Sequence, residues 1–588
     1  MNNFRNYIKA LFVKWCDAML SYQIHSENPR VNGALICPAC GKIHGRCFEA
    51  IYPFMEMASL TGDSKWIKAS EDLLAWSEHT VSLSSGGYIN DIDSDWEGIS
   101  VFACIMMIDA LDEFSSLMDD SFRGKLEARA LRVVEYLYQN ESLKKKNTNY
   151  PVSNALALYK AGVYFKEQRF IEKSEEYEKI IYTVFTPSYL VFGEGWARDM
   201  KSPKGLLAVD IGYNVEETLP SIALLGIMKE DQNLIDLAVK GFRAQLDFML
   251  SDGGWDNSFG TRNLKWTYWG SRTSDGAATA LLMLAAYDKS FAPAAIRNIE
   301  LMGKCTADGL LAGGPDYEKA GQPQCIHHSF THSKILAVIL SRGLADDVSR
   351  GCNVLPRYQN RGLRYKDDLD TYIFSSSSSS YSATVTGYDW PYLKGGHTSG
   401  GMLSLLEFSG YGPIVASSMG HYFMKEKNNM QVPYGDIKHE CLDFRIEKKI
   451  DGIIYSSRYA DDAVIEKLDS NLIKASGFLK SEEADVPNSA IPYSVQYIFS
   501  ADRVEIRIES EASLIIPFIS RAEKFVSDRL IRFEKNGVVI EASVKNGSVF
   551  SYPYGAERIF NLVPGFLALR TEIYPDNNII ELVIRKTE

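Results

Sequence analysis

The sequence has no uninterrupted run of about eighteen apolar residues, the length typical of a membrane-spanning helix, so we predict no membrane segment. The segment Met1 to Leu20 also lacks the features of a signal peptide. Lys9, Lys14 and Asp17 interrupt its apolar residues, and no cleavage site of small residues follows. We therefore expect a cytoplasmic protein, or a periplasmic or secreted one if the chain starts at a processed or recloned N-terminus.

Positive charge is scarce, because 63 Lys and Arg residues stand against 75 Asp and Glu residues, a formal net charge of -12. This balance disfavours nucleic acids and anionic membranes as partners. An acidic oligosaccharide or polysaccharide remains a candidate partner, since a local cluster of arginines can reverse the sign of the charge inside a cleft. The sequence indicates no particular oligomeric state.

Cysteine is infrequent and irregularly placed, with nine residues dispersed along the chain, which argues against a disulfide framework. Cys37-Pro-Ala-Cys40, with Cys47 nearby, is similar to half of a zinc site, but no second Cys pair follows at zinc-finger spacing. Buried thiols and a structural metal are both compatible with this pattern, and buried thiols are the simpler interpretation. We expect no cofactor.

The sequence does contain a long-period repeat. Six clusters of polar and aromatic residues each open an apolar helical run, at intervals of about 51 to about 64 residues. The clusters are His44-Gly-Arg46-Cys47, Asp95-Trp96-Glu97-Gly98, Asn149-Tyr150-Pro151, Tyr213-Asn214-Val-Glu216-Glu217, Arg272-Thr-Ser274-Asp275 and His327-His328-Ser-Phe-Thr-His332. Such a period is typical of a repeated helical hairpin. Six hairpins closed in a ring would direct six helix N-termini to one mouth, lined by side chains suited to carbohydrates.

The hydrophobic pattern divides the chain in two. In residues 1–345, helices that are apolar on most faces, such as Ile99–Phe114, alternate with amphipathic ones, such as Ser121–Tyr138. This alternation predicts an (α/α)6-type helical toroid with buried inner and solvent-facing outer helices. Residues 346–588 carry short alternating segments, such as Val504–Glu509, between turn signals. They predict an antiparallel β-sandwich that contributes to the cleft, so the fold class is mainly α plus β.

A toroid followed by a β-sandwich resembles the heparinase II/III-like polysaccharide lyases and the related alginate lyases. The segment that begins Gly396-His397 resembles that family's first pair of sandwich strands, and Asn149-Tyr150 is similar to an Asn-His pair at a toroid helix start. The family continues the first segment with an Asp that helps to bind zinc. Ala416-Ser417-Ser418-Met419 stands there instead, so we expect no catalytic metal.

A narrower resemblance covers the stretch from Trp255 to Gly276. It resembles the rhamnose–glucuronate lyases of polysaccharide lyase family 27. That resemblance implies cleavage of L-rhamnose-α-1,4-D-glucuronate at arabinogalactan side chains.

The lyase resemblance implies β-elimination at a uronic acid, in which the carboxylate is neutralised, a base removes the C5 proton and an acid protonates the leaving oxygen. We expect Tyr213, with His328 or His397, to perform the proton transfers. We expect Asn149 and Arg272 to neutralise the carboxylate. Further substrate contacts are expected from other polar and aromatic residues of the mouth: His44, Arg46, Trp96, Glu97, Tyr150, Asn214, Glu217, Arg262, Trp266, Asp275 and His327.

Simpler roles and other functions stay open. Tyr213 and Asn214 also suit a helix cap, Arg272 and Asp275 a structural ion pair, and the tryptophans a packed core. A glycoside hydrolase on the same toroid needs two carboxyl groups about 5–10 Å apart. The candidates for that pair are Glu97, Glu216, Glu217, Asp256 and Asp275. A third possibility is a non-catalytic carbohydrate-binding scaffold. The appended sandwich and the His397 segment favour the lyase.

Overall fold

A computed structural model describes residues 3–145, 147–193, 200–261, 263–346, 348, 354–378, 380–390, 396–420, 441–483, 486, 489–520, 524–550 and 559–587. Of the residues singled out in the sequence, Arg262 lies outside these ranges. The predicted fold class, a helical toroid followed by antiparallel β-sheets, is confirmed. In the described part of the chain, no helix is both long and apolar enough to cross a membrane.

Helices make up the N-terminal part of the chain. In order they are α1 (Asn3–Ser21), α2 (Ile51–Thr61), α3 (Lys65–Thr80), α4 (Ser100–Phe114), α5 (Asp120–Gln139), α6 (Asn149–Phe165), α7 (Gln168–Ile181), α8 (Tyr213–Glu216), α9 (Thr218–Lys229), α10 (Gln232–Gln245), α11 (Ala278–Met283), α12 (Phe291–Lys304), α13 (Ile326–Ser341) and α14 (Pro356–Gln359). A 3-10 helix, Gly45–Ala50, leads into α2.

Within the described residues, six of these helices form a closed inner ring. Each member of the series α2, α4, α6, α9, α11 and α13 contacts the next, and α13 contacts α2. Helices α4 and α6 bury residues on nearly every face, as their continuous apolar and small residues require. The six predicted hairpins therefore close into a ring.

The outer helices each pack on one inner helix. The pairs are α3 on α2, α5 on α4, α7 on α6, α10 on α9, α12 on α11 and α1 on α13. Helix α7 buries one stripe, formed by Phe170, Ser174, Tyr177 and Ile181, and leaves its charged residues outside. Because α1 packs on α13, the first helix of the chain completes the last hairpin of the ring.

Strands dominate the C-terminal part. In order they are β1 (Trp266–Thr267), β2 (Gly270–Ser271), β3 (Thr306–Ala307), β4 (Leu310–Leu311), β5 (Gly362–Lys366), β6 (Thr371–Ser375), β7 (Tyr381–Thr386), β8 (Met402–Phe408), β9 (Gly412–Ala416), β10 (Arg445–Ile450), β11 (Ile453–Ser456), β12 (Val464–Asp469), β13 (Leu472–Phe478), β14 (Lys480–Ser481), β15 (Pro492–Phe499), β16 (Arg503–Glu509), β17 (Ser513–Ile519), β18 (Lys524–Val526), β19 (Leu530–Lys535), β20 (Val538–Asn546), β21 (Ser548–Phe550), β22 (Ile559–Asn561), β23 (Phe566–Tyr574) and β24 (Ile579–Thr587).

Among the described residues these strands form three large sheets. Strands β5 to β9 form a meander in chain order. A seven-stranded sheet has the order β14-β11-β10-β17-β23-β21, with β22 also paired to β23, and an eight-stranded sheet has the order β12-β13-β15-β16-β24-β20-β19-β18. The hairpins β1–β2 and β3–β4 belong to loops of the toroid.

The five-stranded sheet packs against the toroid, as does part of the seven-stranded sheet through Ile519, Phe566 and Ala568. Successive side chains of a strand point to opposite faces. Accordingly Ile373 of β6 and Leu405 of β8 join the hydrophobic core of the toroid, whereas Phe374 and Leu406, their neighbours, join the core between the sheets. The meander thus connects the two hydrophobic cores and fixes the sheets against the toroid.

Candidate active site

The six polar clusters meet at one end of the inner helix ring, which we call the mouth. Contacts join neighbouring clusters around it. The contacting pairs are Trp96 with Tyr150, Asn149 with Glu217, Glu216 with Ser274, Arg46 with Thr273 and Asp275, and His44 with His327. Side chains that are far apart in the sequence are thereby gathered where they can act on one ligand.

A buried network of charges holds one side of the mouth. Arg46 Nε donates to Glu49 Oε1 over 2.6 Å, and Arg46 Nη2 lies 3.2 Å from Asp275 Oδ1. Lys334 Nζ lies 2.9 Å from Asp275 Oδ2 and also contacts Glu49. Both cations are therefore paired with carboxylates of the protein. The network joins α13, the approach to α2 and the loop before α11.

Asn149 and Glu217 form a buried pair at the starts of neighbouring inner helices. Asn149 Nδ2 donates to Glu217 Oε2 over 2.5 Å. Burial raises the pKa of Glu217 from its ordinary value to about 8, although the positive charges of Arg46 and Lys265 act in the opposite direction. The Glu217 carboxyl group is therefore mostly protonated at neutral pH and can donate a hydrogen bond to an anion. Glu217 also lines a cavity of about 120 Å³ inside the toroid.

Tyr213 lies beside a buried lysine. The Lys265 ammonium lies 4.6 Å from the centre of the Tyr213 ring, and both side chains are almost fully buried. The backbone N–H of Tyr213 donates to Asp210 Oδ1 over 2.8 Å, which fixes the start of α8. Asn214 is tied to the backbone, because its Nδ2 donates to the carbonyl oxygen of Phe192 over 3.1 Å. Lys265 thus adds a positive charge next to Tyr213.

Two neutral histidines lie close to Arg272. Burial lowers the pKa of His327 and the pKa of His328 well below their ordinary values, and the charge of Arg272 adds to this effect. Both imidazoles are therefore uncharged at neutral pH. His328 Nδ1 lies 3.3 Å from the carbonyl oxygen of Leu311, so Nδ1 carries the proton and Nε2 is the acceptor. The backbone N–H of Arg272 donates to the carbonyl of Lys265, which brings Arg272 into the same hairpin as Lys265.

Aromatic residues border the mouth. Trp96 Nε1 donates to the Tyr150 hydroxyl over 2.7 Å, and the two ring centres lie 5.6 Å apart. Glu97 accepts a hydrogen bond from the Tyr136 hydroxyl. An indole beside a phenol offers an apolar face with a polar rim, a surface suited to a sugar ring.

Two predicted site residues have arrangements that suit structural roles. Trp266 is fully buried, and its Nε1 donates to the carbonyl oxygen of Trp255 over 3.0 Å. His397 is buried with Nδ1 2.8 Å from the carbonyl oxygen of Thr398 and Nε2 2.7 Å from that of Trp390. Both nitrogens of His397 therefore face backbone carbonyl groups.

Several buried polar atoms of the mouth have no hydrogen-bond partner within the described residues. Among them are Asn149 Oδ1, Glu217 Oε1, His327 Nε2 and His328 Nε2. Buried polar atoms in folded proteins are almost always bonded. At the mouth, a bound ligand could supply the partners that these atoms lack.

Three charged residues of the mouth are not apparent from the cluster pattern of the sequence: Lys265, Glu49 and Lys334. The helical period could have predicted that Lys334 lies at the mouth, because Lys334 follows His327 by two turns of α13 and shares its face. Likewise Glu49 lies one turn after Arg46. Lys265 ends a three-residue 3-10 helix, Asn263–Lys265, which is too short to leave a period in the sequence.

Comparison with known proteins identifies the family. A family model described as the ulvan lyase N-terminal domain matches residues 12–357, and one described as the ulvan lyase C-terminal domain matches residues 363–586. The chain belongs to the ulvan lyase family. A broad-specificity ulvan lyase from Formosa agariphila is 35% identical to it over 601 residues, which cover 99% of this chain and 93% of that protein.

Solved structures of two other lyases share the fold. Heparinase III matches with a TM-score of 0.55 at 10% identity, over 98% of this chain and 84% of that chain. The chondroitin AC lyase of Streptomyces coelicolor A3 matches with a TM-score of 0.55 at 10% identity, over 100% of this chain and 80% of that chain. This member of the ulvan lyase family is therefore a polysaccharide lyase, as the sequence predicted, and it shares the fold of heparinase III.

Proposed function

We propose that this lyase cleaves ulvan by β-elimination at a uronic acid, with the mouth of the toroid as its active site. The substrate is supported by the ulvan lyase that is 35% identical over 99% of this chain. The site is supported by the unsatisfied buried atoms of Asn149, Glu217, His327 and His328. Cleavage at rhamnose–glucuronate in arabinogalactan side chains stays a prediction that only the Trp255–Gly276 resemblance supports.

Neutralising the uronate carboxylate is the role proposed for Asn149, Glu217 and Arg272. The C5 proton can be removed only when the charge of the neighbouring carboxylate is stabilised. A protonated Glu217 and the Asn149 amide can both donate hydrogen bonds to it, and the Arg272 guanidinium can pair with it in a bidentate way. Lys265, which acts on Glu217 and lies over the Tyr213 ring, adds positive charge to the same part of the mouth.

Tyr213 and His328 are the groups proposed to move protons. One takes the C5 proton, the released electron pair forms the C4–C5 double bond, the C4–O bond breaks, and the other protonates the leaving oxygen. His328 suits this role because its imidazole is neutral and its Nε2 is unbonded among the described residues. His397 suits it less, since both of its nitrogens face carbonyl oxygens.

Further contacts to the glycan are proposed for the rim of the mouth. Trp96, Glu97 and Tyr150 lie together there and suit a sugar ring. We also propose that residues 346–588 contribute to the cleft, since the ring of Phe566 on β23 lies 4.9 Å from that of Tyr268, next to the Lys265 hairpin.

Hydrolysis by a carboxylate pair is less well supported. The other candidate carboxylates are bonded to groups of the protein: Glu97 to Tyr136, Glu216 to Ser271 and Ser274, Asp256 to Arg357, and Asp275 to Arg46 and Lys334. The four carboxylates nominated as partners of Glu217 are thus bonded to other groups of the protein, and a glycosidase of this kind needs two carboxyl groups.

The test is Tyr213→Phe, which deletes the hydroxyl and keeps the ring beside Lys265. We expect turnover of ulvan to fall by about 10²–10⁴-fold, the usual effect of losing one general acid or base. Turnover is followed by the ultraviolet absorbance of the unsaturated product. Tyr287→Phe, at an exposed tyrosine on the outer surface, is the matched control and should leave turnover unchanged.

Different results would overturn the role of Tyr213 and the choice of substrate. Near-wild-type turnover by Tyr213→Phe would remove Tyr213 from the mechanism. Wild-type elimination on a rhamnose–glucuronate arabinogalactan but none on ulvan would replace the proposed substrate with the one expected from the narrower resemblance.

A further inference from the structure

We propose that this lyase holds a structural zinc ion in a four-ligand site beside the mouth. The proposed ligands are three thiolates and one imidazole, Cys37, Cys40, His44 Nε2 and Cys325. Cys37, His44 and Cys325 offer ligand atoms that all lie within 4.8 Å of one another, and all three residues are buried. Cys37 and Cys40 come from one short turn, whereas Cys325 immediately precedes α13.

Three distances between the ligand atoms match those around a tetrahedral zinc ion; Cys40 lies outside the 4.8 Å cluster of the other three ligands and contacts it through His44 Nε2 and the Cys37 thiol. Zinc lies about 2.3 Å from thiolate sulfur and about 2.0–2.1 Å from imidazole nitrogen, so tetrahedral angles separate two sulfurs by roughly 3.8 Å and a sulfur from a nitrogen by roughly 3.6 Å. The Sγ atoms of Cys37 and Cys325 are 3.8 Å apart. His44 Nε2 lies 3.6 Å from Cys40 Sγ and 3.6 Å from Cys325 Sγ. Cys37 and Cys40 also contact each other through their thiols.

The same distances exclude disulfide bonds among these cysteines. A disulfide places its two sulfurs about 2.05 Å apart, far closer than the separation of Cys37 and Cys325. Cys37, Cys40 and Cys325 are all free thiols. Thiols and an imidazole that share one buried position without covalent bonds are the donor set that zinc prefers.

The backbone around Cys37 and Cys40 presents both thiols to one point. The N–H of Cys37 donates to the carbonyl of Lys42 over 2.8 Å, and the N–H of Gly41 donates to the carbonyl of Cys37 over 2.9 Å. Gly41 has a φ of 66°, in the left-handed region that glycine adopts easily, so the chain can turn back directly after Cys40. The result is a tight turn with its two cysteines on one side.

A carboxylate lies behind the histidine ligand. His44 Nδ1 is 3.9 Å from Asp91 Oδ1, and Asp91 Oδ1 accepts a hydrogen bond from the backbone N–H of Gly45 over 3.0 Å. Metal-bound histidines commonly direct their second nitrogen toward a carboxylate, which fixes the ring orientation. Here Asp91 leaves Nε2 as the nitrogen that faces the thiols.

The site would stabilise the closure of the helix ring. It joins the turn that precedes α2, the first inner helix, to Cys325 at the start of α13, the last one. His44 also lies with its ring centre 5.3 Å from that of His327, two residues after Cys325. Four protein ligands fill the coordination of zinc and leave no position for substrate, so the ion would position the His327–His328 segment without taking part in the chemistry.

The sequence pattern suggested a different third cysteine. Cys47 lies close to Cys40 in the sequence, but its thiol contacts the backbone of Leu35. Cys325, the cysteine that completes the set, is 288 residues from Cys37. Sequence spacing alone therefore cannot indicate that Cys37 and Cys325 are neighbours in the fold.

The test is the metal content of the purified full-length protein, grown with added zinc and freed of loosely bound metal by gel filtration. We expect about one zinc per chain by inductively coupled plasma mass spectrometry. Exchange with cobalt should give the sulfur-to-cobalt charge-transfer absorption and the intense d–d bands of a tetrahedral thiolate site. Neither readout depends on the substrate, so this proposal stands or falls separately from the proposed function.

Matched variants locate the site. Cys325→Ala should lower zinc content to a trace and reduce Tm, whereas Cys104→Ala, which removes a buried thiol from α4, should keep the zinc. If Cys325→Ala does not fold, the zinc content and the cobalt spectrum of the wild type still test whether the protein holds zinc. A wild-type protein that holds well under one zinc per chain and shows no thiolate–cobalt absorption would overturn the proposal, as would full zinc retention by Cys325→Ala.

Discussion

At the scale of single residues, the protonation of Glu217 gives a pH-dependent prediction. Its folded-state pKa of about 8 lies above the ordinary value of 4.5, so the folded protein binds more protons than the unfolded chain between these values. As the pH rises through this window, Glu217 therefore lowers the free energy of unfolding, by at most about 1.4 kcal/mol per pH unit. Between pH 5 and about 8, we expect the Tm of Glu217→Gln to fall less than the Tm of the wild type.

Scanning calorimetry across that window is the measurement, with Glu318→Gln on the surface as a control for removing one negative charge. The control should follow the wild-type profile. Parallel profiles for wild type and Glu217→Gln would mean that Glu217 is ionised in the folded protein, and its proposed role as a hydrogen-bond donor to the substrate would then fail.

Arg272 gives a second prediction at this scale. Arg272→Lys keeps the positive charge but loses the planar pair of donors that binds a carboxylate bidentately. We expect kcat/KM for ulvan to fall while Tm stays close to that of the wild type. Arg243→Lys, on the outer surface, should change neither quantity. Equal kinetics for Arg272→Lys and wild type would show that the guanidinium fork does not contact the uronate.

Single residues are also where sequence reasoning reaches its limit. Asn149, Tyr213 and His328 could be nominated because they open apolar helical runs, and their roles stay proposals. Trp266 could not be told from a sugar platform, because only the folded loop reveals that its indole bonds the backbone of Trp255. Nor does any spacing bring Cys325 to Cys37, since contacts between distant segments carry no local signal.

At the scale of elements, the start of α4 sets the aromatic rim of the mouth. A Cβ at Gly98 would lie 2.3 Å from the Tyr150 ring and 2.8 Å from Trp96 Nε1. Gly98→Ala should therefore displace the Trp96–Tyr150 pair and raise KM for ulvan. Gly124→Ala, at an open position of α5, is the control and should raise stability by about 0.5–1 kcal/mol without a kinetic effect. Unchanged KM for Gly98→Ala would remove this rim from the binding site.

Inner and outer helices were predictable because burial on all faces or on one stripe leaves a direct mark on the sequence, as in α4 and α7. The break between α8 and α9 could not be predicted from the sequence. Glu217 stands between them with φ -122° and ψ -53°, outside the regular helical geometry. That irregularity depends on its surroundings, since Glu217 is held by Asn149 from the neighbouring helix.

At the scale of the whole molecule, Arg357 fixes the toroid to the five-stranded sheet. Its buried guanidinium lies 2.9 Å from Asp256 Oδ2 and 3.1 Å from the carbonyl oxygen of Asp247 on the toroid side. On the sheet side it donates to the hydroxyls of Ser382 and Thr384 over 2.7 Å each. Removing one partner of a buried ion pair costs about 3–5 kcal/mol, so Arg357→Met should unfold at a much lower temperature.

Arg585→Met is the control for this prediction, because its ion pair with Glu541 is exposed and should contribute no more than about 1 kcal/mol. Calorimetry of both variants gives the comparison. A Tm for Arg357→Met equal to that of Arg585→Met would show that the junction does not depend on this side chain.

The most direct test of the central claim is the product that the wild-type enzyme releases from ulvan, measured by ultraviolet absorbance and mass spectrometry. Elimination predicts a new end that carries a conjugated C4–C5 double bond, absorbs in the ultraviolet and weighs one water less than the hydrolysis product. Saturated sugars with the mass of a hydrolysis product, and no rise in absorbance, would contradict the β-elimination account.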